Sequence, residues 1–142
     1  MDHMCPECGA LWPEGFSCEQ AFHALLAQEW HDPELQAEHF FLVACYNLQH
    51  PSSFTEEALK NLQQGLSAKL ETGLSILDLR KRAEEAFDGP NRVRKPEAER
   101  QVVLRKWTFT LVEVYAKGAL EGAARRVRDW ANAIHQQVKS KE

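Results

Sequence analysis

The first seventeen residues, MDHMCPECGALWPEGFS, constrain the fold most because they cannot form a hydrophobic core of their own. They are rich in Pro, Gly and Cys and show no apolar periodicity of helix or strand. Ordering such a segment costs conformational entropy that its small apolar surface cannot offset. The sequence therefore predicts an irregular N-terminal flap that a covalent or ionic link holds to the rest of the chain.

The motif Cys5-Pro-Glu-Cys8-Gly offers that link. Two thiolates separated by two residues, followed by Gly9, form a tight turn in which both sulfurs reach one ion at about 2.3 Å. A third thiol, Cys18, stands at the predicted start of a helix, where the positive end of the dipole favours a thiolate. Three thiolates and one imidazole are typical of a closed tetrahedral zinc site, so we predict Zn²⁺ as the cofactor.

The fourth ligand has four candidates: His50, His39, His23 and Cys45. Two predicted helices join through a tight turn at 31–33 and should lie antiparallel, which places His50 and Cys45 near Cys18. His39 lies about half-way back along the second helix, and His23 has a spacing from Cys18 that zinc modules use. His50 is therefore the first choice and His39 and His23 the alternatives, whereas Cys45 fits a core thiol in an apolar run.

Beyond the flap, apolar residues recur at helical spacing. Helices are predicted over 18–30 and 32–49, then from an opening within 52–57 to a stop at Gly73, over about 75–87, from Thr110 and after Gly118. The buried stripe of the first helix is predicted to hold Phe22, Leu25, Leu26 and Trp30. No strand is evident, so the expected fold class is all-α: a bundle of four to six helices with an irregular, zinc-stapled N-terminal segment.

The chain length fits one domain, 1–142. Within it we expect a zinc-binding flap at 1–17 and a helical bundle at 18–142. A charged stretch with two prolines predicts a long loop at about 88–107, the least regular part of the bundle.

Charge is divided between the two parts of the chain. Residues 1–59 contain ten acids and no Lys or Arg, whereas residues 60–142 hold all 17 basic residues against 11 acids. The two oppositely charged parts can pack on each other or face solvent, so this division of charge does not require a nucleic-acid partner. The basic stretch from Arg92 to Lys106 has only one aromatic residue beside it, Trp107. Proteins that bind single-stranded nucleic acids instead present several aromatic side chains, on which successive nucleobases stack. The pattern argues against a nucleic-acid partner.

The longest apolar run, Phe40 to Tyr46, is far shorter than the roughly 20 residues of a membrane helix. No basic start followed by an apolar stretch marks a signal peptide. We therefore expect a cytoplasmic protein without a membrane partner.

Several of these residues together resemble an uncharacterised bacterial family, a domain of unknown function with a CPxCG start and a QHP block. The matching features are CPECGA, Cys18, Ala27 to Trp30 followed by Asp32-Pro33, His39, Tyr46 and Gln49-His50-Pro51. The resemblance covers about residues 4–60 and returns faintly at 127–131. It implies that Cys5, Cys8, Cys18, Glu29, His39, Tyr46, Gln49 and His50 belong to the family pattern, which includes neither His23 nor Cys45. It implies no activity.

Glu29 and His39 flank the predicted turn between the first two helices. We interpret them as a buried histidine held by a carboxylate. The alternative is a catalytic pair, or half of an open metal site.

Three functions remain open. The first is a non-enzymatic, zinc-stabilised module that binds or regulates a protein partner, with self-association through the Leu-rich third helix as one form. The second is a metal-dependent hydrolase or transferase resembling DinB-like bundles, to which only His39 and His135 could contribute from separate helices. The third is a thiol-redox sensor that loses zinc when its thiolates are oxidised.

Overall fold

The computed structural model describes residues 1–86 and 93–139. Within these ranges the chain is mostly helical, with seven α-helices and one two-stranded sheet. The elements are β1 (His3–Met4), β2 (Leu11–Trp12), α1 (Cys18–Gln28), α2 (Pro33–Ala37), α3 (His39–Gln49), α4 (Glu56–Thr72), α5 (Ile76–Ala86), α6 (Leu111–Tyr115) and α7 (Ala123–Lys139). The predicted helical bundle is confirmed. The expectation of no strands is wrong, because β1 and β2 pair antiparallel within the flap.

Side-chain caps set most of the helix ends. Ser17, Asp32 and Thr55 each accept a backbone N–H in the first turn of α1, α2 and α4. Thr110 and Glu113 form a capping box at α6. Such capping residues can be recognised in the sequence, and each of these helices begins directly after its capping residue.

The predicted second helix is two helices, α2 and α3, separated at Glu38. Glu38 has φ −98° and ψ 13°, and its carboxylate accepts a hydrogen bond at 2.9 Å from Arg128 of α7. Leu35 of α2 is fully buried, and α2 packs on α7. The break thus lets α2 pack against α7 before the chain continues as α3.

Helix α7 lies against α2, α3, α4 and α6. Its buried face consists of Ala123, Val127, Trp130, Ala131 and Ile134. Helix α3 supplies the other large part of the core, including Phe41 and the fully buried Cys45. Burial raises the pKa of the Cys45 thiol well above its usual value.

Helices α1 and α3 lie antiparallel, as predicted. Glu29 contacts His39 at 2.8 Å, and the rings of Phe22 and Tyr46 stack with centroids 4.0 Å apart. The members of each pair are equally distant from residue 34 along the chain. The same register places Cys18 opposite His50.

Trp30 does not belong to the buried stripe of α1, contrary to the prediction. Helix α1 ends at Gln28, so Trp30 follows in the turn and its residue surface is 86% exposed. Leu25, one helical turn inside α1, is fully buried as expected.

The predicted charged loop at about 88–107 lies only partly within the described residues, since 87–92 fall outside them. Its described part is irregular apart from a short 3₁₀ turn at Glu97–Glu99. Arg105 N–H donates to the carbonyl of Glu7 at 2.9 Å, and Gln137 of α7 donates to the carbonyl of Lys106 at 3.0 Å. The segment is therefore fastened to both the flap and α7.

None of the helices in residues 1–86 and 93–139 has the length and apolar character that crossing a membrane requires.

Candidate metal centre

The CPECG segment forms a tight turn between β1 and β2. Cys5 N–H donates to the Ala10 carbonyl at 2.8 Å, and Gly9 N–H donates back to the Cys5 carbonyl at 3.0 Å. Gly9 has φ +79°, a left-handed conformation that costs glycine little. The turn thereby positions the sulfurs of Cys5 and Cys8 in one cluster.

Cys18 is the first residue of α1 and is buried. The indole N–H of Trp12 donates to its sulfur at 3.1 Å. Trp12 is itself held by ring contacts with Phe16 and Tyr115. This hydrogen bond stabilises negative charge on the Cys18 sulfur, as an N–H donor beside a metal-bound thiolate does.

His50 follows α3, and its ring orientation is set by the backbone. Its Nδ1–H donates to the Tyr46 carbonyl at 2.7 Å; we assign the proton to Nδ1 because a carbonyl can only accept. The lone pair of Nε2 is then free for the cluster, 3.6 Å from the Cys5 sulfur. A second nitrogen bonded to a carbonyl is the usual support of a metal-binding histidine.

The four donor atoms of Cys5, Cys8, Cys18 and His50 all lie within 4.8 Å of one another. The sulfurs of Cys8 and Cys18 are 3.6 Å apart, and all the cysteines are unpaired. A tetrahedral zinc ion requires donor separations of about 3.5–3.8 Å, given its bond lengths. The cluster could therefore hold a metal ion.

Without an ion, these groups share protons. Hydrogen bonds from Cys18 and Cys8 lower the pKa of the Cys5 thiol, while hydrogen bonding to Cys5 and Cys8 and burial raise that of Cys18. Burial lowers the pKa of His50, but its hydrogen bonds to Cys5, Cys8 and the Tyr46 carbonyl, together with the negative charge of Cys8, outweigh burial and raise it to about 10. A bound cation takes the place of these protons, so metal binding releases them.

The other candidate ligands lie elsewhere. His23 is exposed on α1, and the side chain of His39 is 54% exposed at the start of α3. Cys45 is enclosed in the core. The histidine that the structure brings to the three cysteines is the first choice, His50, because the α1–α3 register places it opposite Cys18.

A family model matches residues 3–139. That model describes DUF5946, a family of unknown function. The chain belongs to DUF5946. Searches of the curated proteins and of the solved structures found no significant match. The resemblance to an uncharacterised family is thus confirmed, and the DUF5946 match extends beyond residues 4–60 to the end of α7.

Three contacts that support the cluster in this DUF5946 chain were not predicted. They are the Trp12 indole on the Cys18 sulfur, the Tyr46 carbonyl on His50, and the Glu7 carboxylate, which accepts the Ser52 N–H at 3.0 Å. The first two join groups whose spacing follows no zinc motif. Of the residues that make these contacts, only Tyr46 was indicated by the sequence analysis, since it belongs to the pattern implied by the family resemblance.

The Glu29–His39 pair forms, but the interpretation of a buried histidine is wrong. The His39 side chain is 54% exposed, whereas that of Glu29 is 11% exposed. His39 is the first residue of α3, next to the break at Glu38, where its ring meets solvent. Among the described residues of this DUF5946 chain, neither residue belongs to a group of three or more metal-ligating side chains.

We therefore expect His39→Ala to lower the free energy of unfolding by less than about 1 kcal/mol, because solvent competes for the hydrogen bond of a half-exposed side chain. Urea denaturation measures this, and the metal content should equal that of the unmodified protein. A loss above about 2 kcal/mol would contradict the solvent-screened pair.

The hydrolase alternative needs His39 and His135 in one site. His135 on α7 instead bonds Glu71 at 3.2 Å and Ser67 at 3.1 Å, both on α4. No metal-ligating group in the described part of the DUF5946 chain contains both histidines. The open site that such an enzyme requires is therefore not assembled from these two residues.

Proposed function

We propose that Cys5, Cys8, Cys18 and His50 bind one Zn²⁺ in a closed structural site. The observation that supports this is the donor set itself, three sulfurs and one nitrogen within 4.8 Å of one another. Cys8 and Cys18 are only 1% and 5% exposed. Four protein ligands fill a tetrahedron, so this zinc has no open position for a substrate.

In this proposal, zinc coordination orders the flap, which has too little apolar surface to form a hydrophobic core of its own. Cys5 and Cys8 come from the flap, Cys18 from the start of α1 and His50 from the end of α3. One ion thus cross-links three segments. Without it, the flap keeps a few polar contacts, such as that of Glu7 with Ser52, and the packing of Trp12.

We further propose that the protein is a non-enzymatic interaction or regulatory module with a protein partner. Three consecutive large apolar residues, Val102, Val103 and Leu104, are exposed beside the basic Arg100 and Lys106. Contiguous exposed apolar surface is typical of sites that partners cover. The exposed segment at residues 102–104 is short and has few aromatic residues nearby. Both features favour a protein partner over a nucleic acid or a membrane. Zinc-bound thiolates fit a reducing compartment such as the cytoplasm.

Metal analysis of freshly purified, reduced protein tests the site. We expect about one zinc per chain, and the cobalt-substituted protein should show thiolate-to-metal absorption with tetrahedral ligand-field bands. Chelation should expose residues 1–20 to hydrogen exchange before the helices, because the flap depends most on the ion. Protein purified without any transition metal would refute the proposal.

A thiol-redox sensor is the second candidate function, favoured by the 3.6 Å separation of the Cys8 and Cys18 sulfurs. One molecule of hydrogen peroxide would take two electrons from these two thiolates and two protons from solvent, forming a disulfide and two water molecules while zinc leaves. Zinc release by micromolar peroxide, reversed by a thiol reductant, would favour the sensor. Retention of zinc favours the structural site.

A further inference from the structure

A hydrogen-bonded chain of three side chains joins α4 to α7, apart from the metal centre. The hydroxyl of Ser67 lies 3.1 Å from Nδ1 of His135, and Nε2 of His135 lies 3.2 Å from the carboxylate of Glu71. A serine, a histidine and a carboxylate linked in this order form the arrangement by which proteins activate a hydroxyl as a nucleophile. None of the three residues is among the four candidate metal donors.

The carboxylate of Glu71 determines which ring nitrogen of His135 can accept a hydrogen bond. A carboxylate only accepts, so in the neutral imidazole we assign the proton to Nε2, which donates it to Glu71. Nδ1 then carries a lone pair, and the Ser67 hydroxyl donates to that lone pair. His135 is therefore placed as a base for the serine proton, and Glu71 orients its ring.

These side chains lie at the solvent-facing rim of the contact between α4 and α7. Ser67 is half-buried, and the residues three before it and four after it on the same face of α4, Gln64 and Glu71, are exposed. The side chain of His135 is only 15% exposed, whereas that of Glu71 is 58% exposed. The base is thus largely shielded from bulk water, while the serine lies beside the exposed surface of α4.

The position of Ser67 inside a helix argues against turnover as an esterase. Ser67 lies within α4, where backbone N–H groups donate to carbonyls of the same helix. A tetrahedral intermediate on Ser67 therefore meets no free backbone donor, whereas esterases rely on such donors to stabilise the oxyanion. An acyl group that is transferred to Ser67 should consequently remain there.

We propose that Ser67 is a modification site that accepts an acyl group from an activated acyl ester, one whose leaving group is a weak base. The Ser67 oxygen forms a bond to the acyl carbon while the hydroxyl proton passes to Nδ1 of His135. The bond from the acyl carbon to the leaving group then breaks, and the leaving group takes up that proton. The acylated oxygen can no longer donate to His135, so the modification removes a hydrogen bond between α4 and α7. This effect suits the regulatory role proposed above but does not depend on the zinc site.

Incubation of the zinc-loaded, full-length protein with p-nitrophenyl acetate, followed by peptide mass mapping, tests this proposal. The mapping separates acetylation of Ser67 from that of lysines and cysteines. Ser75 is the control within the same chain, because it is exposed and its hydroxyl bonds the Asp78 carboxylate at 2.9 Å without a histidine. We expect Ser67 to be acetylated at least about a hundredfold faster than Ser75, as general-base assistance provides. Equal rates, or no acetylation of Ser67, would show that the three side chains form only a structural bridge.

His135→Gln keeps a hydrogen-bonding side chain beside Ser67 but removes the base. We expect this substitution to slow acetylation of Ser67 at least about a hundredfold and to leave the rate at Ser75 unchanged. Glu71→Gln should slow acetylation of Ser67 as well, and Glu71→Asp should be faster than Glu71→Gln because it keeps the carboxylate. An unchanged Ser67 rate in a folded His135→Gln variant would refute the proposal. If that variant does not fold, the comparison of Ser67 with Ser75 in the unmodified protein still decides.

Discussion

Cys8→Ser is expected to abolish stoichiometric zinc binding. Serine is a poor zinc ligand at neutral pH, and the Cys8 side chain is only 1% exposed, which leaves little room for a replacing water ligand. The variant should also lose the stability that the metal adds, about 4 kcal/mol where free zinc exceeds its Kd a thousandfold. Metal analysis and urea denaturation at buffered free zinc measure the two effects.

Cys45→Ser is the matched control, because Cys45 is a buried cysteine outside the cluster. It should keep one zinc per chain and lose only about 1–3 kcal/mol, from a hydroxyl placed in an apolar core. His50→Ala should behave like Cys8→Ser in metal content. Loss of zinc in Cys45→Ser together with its retention in His50→Ala would show that the donor set is wrong.

Trp130→Ala is expected to lower the free energy of unfolding by about 3–5 kcal/mol. Trp130 is fully buried on α7, and α7 packs against α2, α3, α4 and α6. The truncation therefore leaves a large cavity where several helices meet, and they cannot all move inward to fill it. Urea denaturation followed by circular dichroism measures the change.

Trp30→Ala provides the comparison within the same chain. Trp30 is 86% exposed, so we expect a change within about 0.5 kcal/mol. Equal destabilisation by the two substitutions would contradict the burial of one tryptophan and the exposure of the other.

The sequence predicted the parts of the site that depend on local signals. The CPECG turn follows from two cysteines and a glycine, and Asp32-Pro33 marks where α2 begins. The chain reverses direction between α1 and α3 through residues 29–38, which include α2 instead of the predicted tight turn. The contact pairs are nevertheless centred on residue 34, close to the predicted turn at 31–33, which is why Cys18 and His50 could be paired in advance. Glu29 and His39 were paired by the same geometry.

The sequence analysis failed for features that depend on where a helix or strand begins and ends. Periodicity assigned Trp30 to the buried stripe, but α1 ends two residues earlier. The strands β1 and β2 have two residues each, too few for an alternating pattern.

A cavity that Gln49 and Arg105 both line was beyond prediction for a different reason. Arg105 lies in an irregular segment without a period, and its position depends on contacts with Glu7 and α7. No spacing in the sequence indicates that it lines the same cavity as Gln49.

The position of all four donors within residues 5–50 has a consequence for biosynthesis. A ribosome makes the chain from its N-terminus, so the complete donor set is synthesised before the first residue of α4 has been joined. Cys18 and His50 belong to the antiparallel helices α1 and α3, both of which precede α4 in the chain. Helix α7, which packs against α2 and α3, is translated last among the helices described. The nascent chain therefore carries every metal ligand while most of the bundle is still unmade.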